Sequence, residues 1–267
     1  KYDISANLST LKNKVTSLGF GTKSYITGAY ATYVDQEIGQ FYGWVYKGIA
    51  RTQDDLDNNA VQQGANIGDC LYEDISGPDG TPDGVIDAYD QTVLGSGLPK
   101  VNFGLSTHME YKGFDLNIST YGVLNYHVTD DIYNSLNSCY GYGNKDVAML
   151  DANRWSEDGS TYLSNVPRTY AANNATLGWN DLFSSRKIQN AAYWKIANVE
   201  LGYNFPDKWF GGYVSGVRLY VSAQNLYTFT GYHGYNVDYA GGTFTPGYNF
   251  CSFPSARTFM CGLHFTF

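Results

Sequence analysis

The chain has 267 residues, enough for one large β domain or two small ones, with 25 Tyr, 14 Phe and 30 Gly against only 16% charged residues. No apolar run reaches about 18 residues, which excludes a conventional transmembrane helix but not a barrel strand of about 9–11 alternating residues. A net charge of −8 without any dense Lys/Arg cluster sets nucleic acid aside as a partner.

Two-residue alternation begins at once. Tyr2, Ile4, Ala6 and Leu8 alternate with Asp3, Ser5, Asn7 and Ser9, the mark of a strand with two different faces. Lys1-Tyr2-Asp3 runs straight into this strand with no signal peptide, so the chain is expected to be cut from a longer secreted protein. Further along, Asp79 to Asp90 reads as a calcium loop. Asp79, Thr81, Asp83, Asp87 and Asp90 fall at positions 1, 3, 5, 9 and 12, with the Val85 carbonyl at 7 and Gly84 at the sharp turn. A final Asp in place of Glu and the neutral Thr81 point to modest Ca²⁺ affinity; the plainer alternative is an acidic turn without metal.

The clearest hairpin follows. Val101, Phe103, Leu105, Thr107, Met109 and Tyr111 alternate with Asn102, Gly104, Ser106, His108 and Glu110. After Lys112-Gly113, Phe114, Leu116 and Ile118 oppose Asp115, Asn117, Ser119 and Tyr121. In Tyr193–Phe205 and Val217–Phe229 the same alternation returns, with Arg218, Tyr220, Ser222 and Gln224 on the polar side of the second. The chain ends on Phe259, Cys261, Leu263, Phe265 and Phe267 against Met260, Gly262, His264 and Thr266. A soluble sandwich also alternates, so the spacing decides. Short turns join paired strands, while polar tracts of about thirty, seventy and thirty residues precede Val101, follow Tyr121 and follow Phe229. Such tracts are uncommon in compact soluble domains and usual on one side of outer-membrane barrels. The fold class is therefore all-β: an antiparallel transmembrane β-barrel segment with long extracellular loops, contributing eight to ten strands.

Aromatics near strand ends, such as Tyr111, Phe114, Tyr203, Phe205, Tyr227 and Phe229, suit interfacial girdles in outer-membrane lipid. A closing strand ending in Phe267 implies a periplasmic C-terminus. With the apolar faces toward lipid, Asn102, Ser106, His108, Asn117, Tyr121, Tyr220, Ser222 and Gln224 face the lumen and are the candidate substrate contacts. Loop aromatics (Tyr140, Tyr142, Trp155, Trp179, Tyr232 and Tyr235) are candidate stacking platforms. Glu110 and Asp115 flank a turn, where carboxylates are expected to be solvated or lumen-facing rather than catalytic. His108, His127, His233 and His264 lie far apart and outside any GxSxG or HExxH context, so no enzyme is expected. Cys70, Cys139, Cys251 and Cys261 lack zinc spacing and allow three full pairings, which the sequence leaves open.

Specific strings carry a resemblance. Glu37-Ile38-Gly39-Gln40-Phe41-Tyr42-Gly43-Trp44, Asp83-Gly84-Val85-Ile86-Asp87, Tyr111-Lys112-Gly113-Phe114-Asp115-Leu116, Leu201-Gly202-Tyr203 and Val221-Ser222-Ala223-Gln224-Asn225-Leu226 occur in order along the chain. Together they resemble the SusC-like TonB-dependent transporters. The resemblance implies a barrel of about 22 strands with a plugged lumen, energy from a TonB complex and a SusD-like surface lipoprotein as lid. It also implies import of oligosaccharides, with oligopeptides as the alternative; a receptor or adhesin barrel is the alternative from another class. Residues 1–267 correspond to the C-terminal portion of such a barrel. The plug and first strands lie outside the sequence, so a remaining barrel and plug segment is an expected partner.

Overall fold

The computed structural model describes residues 1–139, 144–147, 155–156, 165–169, 175–210, 214–238 and 241–266. Six long strands, β1 (Tyr2–Thr10), β2 (Val101–Tyr111), β3 (Phe114–Leu124), β4 (Tyr193–Phe205), β5 (Gly216–Thr230) and β6 (Thr258–Thr266), form one antiparallel meander. Each pairs with the strand before it, and β1 and β6 are its edges among the described residues. Where eight to ten barrel strands are expected, the described residues supply six long ones. Every other strand is short and sits in a connection. Phe267 lies outside the described residues.

Local chemistry explains the two kinds of connection. At the β2–β3 hairpin, Tyr111 pairs with Phe114 across a two-residue turn, with Lys112 at φ 48° and Gly113 at φ 87°. Both central residues are left-handed, the geometry whose twist matches that of the flanking strands. A Cβ on Gly113 would stand 2.9 Å from the Asn204 carbonyl oxygen, so glycine also permits the close passage of β4. The opposite end of the sheet carries all the long connections. In the middle of β4 the register shifts between Ile196 and Asn198 against both neighbours. This bulge moves the odd residues Tyr193 and Lys195 onto the face that even residues occupy further along.

The long connections are not open tracts. Ser24–Thr27, Tyr30–Tyr33, Gln40–Gly43 and Thr92–Ser96 form a four-stranded sheet, and Tyr46–Ile49 pairs with Cys70–Tyr72. Cys70, Tyr72 and Ile86 make a small core against Trp44, Tyr46, Trp179 and Leu182. There burial pushes the Cys70 thiol up to about 12, which leaves it a packing group rather than a nucleophile. Asp69 is buried under a two-pronged Arg168 contact (2.7 and 2.8 Å) and accepts a further bond from Asn180 at 2.8 Å. Neighbouring Gly68 has φ 95°, and a Cβ there would meet the Trp155 ring at 2.4 Å. A second core of Val123, Tyr126, Val128, Ala191, Tyr193, Tyr232 and Val237 joins the loops to the sheet.

Candidate functional site

The two faces of the six-stranded sheet invert the pattern of a soluble protein. On one face, registered rows of large apolar side chains lie open: Ile4 is 62% exposed, Val221 50% and Leu263 58%. On the other, two charged groups are covered: the side chains of Lys195 and Asp115 are 5% and 8% exposed. A water-facing sheet would reverse both, because buried charge is costly and exposed apolar surface unfavourable.

The open face is also banded. Near the loop end, Trp194 stacks on Phe229 at 5.3 Å and Tyr227 meets Phe229 at 4.7 Å. Near the turn end, Phe114, Tyr203, Phe205 and Trp209 form a chain of ring contacts at 4.7, 4.9 and 5.8 Å. Between these belts lie aliphatic residues such as Leu105, Leu201, Leu219 and Val221. Two aromatic girdles bordering an aliphatic band are what a lipid-facing barrel wall presents.

All eight expected lumen residues fall on the opposite face. His108 is registered with Asn117, Gly104 with Tyr121, Gly202 with Tyr220, Glu200 with Ser222 and Asn198 with Gln224, and Asn102 and Ser106 continue the β2 row. Some touch directly: His108 Nδ1 lies 2.6 Å from the Asn117 carboxamide oxygen and its Nε2 3.0 Å from Glu110. Asp115 is not a solvated turn charge. It accepts from Arg218 Nε at 3.0 Å and Nη2 at 2.5 Å and from Asn204 Nδ2 at 2.8 Å, while Arg218 also reaches Glu200 at 2.7 Å.

Lys195 and Asp238 are absent from the expected set, yet they form a 2.5 Å ion pair on this face, and the Tyr121 hydroxyl donates to Asp238 at 3.3 Å. Strict alternation hides Lys195, because only the bulge brings it inward. Of the loop aromatics, Trp155 and Tyr232 are buried, and the Tyr232 hydroxyl donates to the Asp130 carboxylate. Trp179 packs 6.2 Å from Tyr72. These three hold the loops together, and only Tyr235 among the described ones is open, at 64%. Tyr140 and Tyr142 lie outside the described residues.

The acidic loop does not gather its donors. Among the described residues no three His, Cys, Asp or Glu side chains stand together to hold a metal. Gly84 does adopt the expected left-handed turn, at φ 85°. Buried Asp90, however, accepts from the Ile75, Ser76 and Asp87 amides at 2.8, 3.2 and 2.8 Å, and Asp87 accepts from Tyr89 at 2.7 Å. Asp83 likewise accepts from Val85. The expected ligand set Asp79, Thr81, Asp83, Val85, Asp87 and Asp90 is therefore not gathered round one point in this arrangement, and Asp83, Asp87 and Asp90 each accept from backbone amides.

No protein-family model matches the chain. It is 29% identical to TonB-dependent receptor P3 of Formosa agariphila over 98% of its own length and 26% of that protein's. It is 27% identical to TonB-dependent receptor SusC of Bacteroides thetaiotaomicron, over 69% of this chain and 17% of that protein. A structure of the RagAB peptide transporter superposes with a TM-score of 0.76 at 21% identity, covering 98% of this chain and 26% of that one. By sequence and by fold, this chain resembles the SusC-like TonB-dependent receptors. The SusC-like relatives are receptors and transporters, not enzymes, and the inside-out sheet is part of a β-barrel. TonB-dependent transporters imply the outer membrane. The chain spans about a quarter of the length of its best-covered relatives.

Proposed function

We propose that this SusC-like segment is the C-terminal portion of a TonB-dependent importer of oligosaccharides, with its C-terminus on the periplasmic side. The observation that carries the reading is a polar face rich in amides and hydroxyls, with its charges paired, behind an open apolar one. That arrangement suits a wall between lipid and a water-filled path. β1 and β6 each leave a row of backbone groups without a strand partner among the described residues. In lipid such rows cost several kcal/mol per group, so further barrel strands flank both edges and a plug fills the lumen. A SusD-like lipoprotein caps the loop end, and a TonB complex supplies the energy.

An oligopeptide importer is the second reading, favoured by the fold shared with the RagAB peptide transporter. The test is uptake of labelled neutral oligosaccharides and peptides by cells carrying the full-length protein, with and without TonB. TonB-dependent saccharide uptake is expected. Peptide uptake alone would select the second reading, and surface binding without uptake would mark a receptor or adhesin.

A further inference from the structure

The four cysteines fall into two kinds. Cys70 and Cys139 are fully buried in the loop cores, while Cys251 and Cys261 are exposed. Cys261 stands in the open apolar row of β6, registered with Val221. Bonding a buried cysteine to an exposed one would require one of the two to change its surroundings completely. That removes two of the three full pairings and leaves the one that joins Cys70 to Cys139.

Separate contacts draw these two residues to one place. The Cys70 amide donates to Asn180 Oδ1 at 2.7 Å, and the Cys139 amide donates to both carboxylate oxygens of the next residue, Asp181, at 3.1 and 3.0 Å. Cys139 packs on Val166. Two residues further on, the Arg168 amide donates to the carbonyl of Gly68, two residues before Cys70, at 2.9 Å. The Arg186 guanidinium, 6.0 Å from the Tyr46 ring centre, acts electrostatically on both thiols, and Cys139 acts on Cys70.

We infer that Cys70 and Cys139 form a disulfide in the mature protein, tying the Tyr46–Ile49 and Cys70–Tyr72 strand pair to the connection between β3 and β4. The outer membrane is reached through the periplasm, an oxidising compartment in which disulfides form and persist. Packing as a small hydrophobe accounts for one buried cysteine. It does not account for two, distant in sequence, whose amides are anchored on consecutive side chains.

The oxidant is the disulfide of a periplasmic thiol–disulfide exchange protein. One cysteine of the pair attacks it as thiolate, forming a mixed disulfide and releasing one of that protein's sulfurs. The second cysteine then displaces the other sulfur. Two cysteine thiols are oxidised, the partner's disulfide is reduced to two thiols, and the two protons pass to them. Burial raises the Cys70 thiol to about 12 in the folded loops, so this exchange belongs to the chain before the core closes. Once made, the bond closes a loop of about 70 residues, which restricts the unfolded chain.

The test uses the full-length protein in isolated outer membranes. The membranes are dissolved in denaturant containing N-ethylmaleimide, which blocks every thiol as it stands, and digested without reductant for mass spectrometry. A linked pair of peptides carrying Cys70 and Cys139, separated by reduction, is expected in most molecules. Recovery of both residues mainly as maleimide adducts would overturn the inference, as would a link from either to any other cysteine. In intact cells, Cys70→Ser and Cys139→Ser should each speed trypsin cleavage within residues 44–73 roughly tenfold or more. The double substitution should add little to either single one, because all three lose the same bond. Additive effects would mark two independent packing defects and refute the bond. Should a variant fail to reach the membrane, the peptides of the parent protein still decide.

Discussion

Arginine placed on the open apolar face should reveal where the bilayer lies. Leu201 is 44% exposed and shares one registered row with Met109, Leu116, Val221 and Cys261. Strand rise is about 3.3 Å per residue and tilt about 40°. On those figures Leu201 stands about 10 Å inside the Phe205 belt and about 15 Å inside the Trp194 belt, allowing for the bulge. That is close to the middle of a band of about 25 Å. Leu201→Arg in the full-length protein should therefore cost about 2–4 kcal/mol of folding stability in lipid vesicles. Tyr111→Arg, at the turn-end belt where the guanidinium can reach water, should cost no more than about 1 kcal/mol. Urea titrations of vesicle-folded protein, read by tryptophan fluorescence, give both values. Equal costs at the two sites, or a Leu201→Arg protein as stable as the parent, would refute a lipid-facing assignment.

Two further predictions concern the loops. Burial lowers the pKa of His127, in the short strand His127–Asp130 outside the spanning sheet. Because the folded state resists protonation more than the unfolded one, its contribution is complete above the unfolded value of about 6.5 and is lost as pH falls below it. The hydrogen-exchange protection factor of residues 126–130, taken against the intrinsic exchange rate at each pH, should accordingly fall between pH 7.5 and 5, and His127→Gln should remove that dependence; a protection factor that does not vary with pH would count against it. For the acidic loop, millimolar calcium should leave proteolytic protection of residues 68–97 unchanged, since Asp90 already serves three backbone amides. Calcium-dependent protection lost in Asp83→Ala would restore the metal reading.

The spanning strands were legible because lipid on one side and water on the other impose a period of two with few exceptions. Val101–Tyr111 and Tyr193–Phe205 match their expected bounds. What alternation missed follows from where the period breaks. Lys195 is out of phase because of the bulge at Ile196–Asn198, and nothing in the local sequence announces it. The loops were opaque for a different reason. Their cores join residues distant in sequence, as when Asp69 meets Arg168 and Asn180 or Asp130 meets Tyr232 and Asn249, and composition gives no register for such contacts. The acidic loop shows the same limit, since correct ligand spacing did not decide whether the carboxylates turn toward a cation or toward their own backbone.

The Asp115, Glu200 and Arg218 group bears on which side of the wall holds water. It contains one cation and two carboxylates, so it keeps an excess negative charge even when fully paired. A net charge facing hydrocarbon would be expelled or neutralised, because the solvation it loses is not returned by one guanidinium. Facing a wet lumen or the polar surface of a plug, the same charge is readily solvated, and Asn204 adds a further donor to Asp115. The apolar side chains of the opposite face, Leu201 and Leu219 among them, would meet the opposite penalty in water. Each face thus excludes the environment that the other requires, and the sheet is placed between lipid and a polar interior by its charges as firmly as by its aromatic belts.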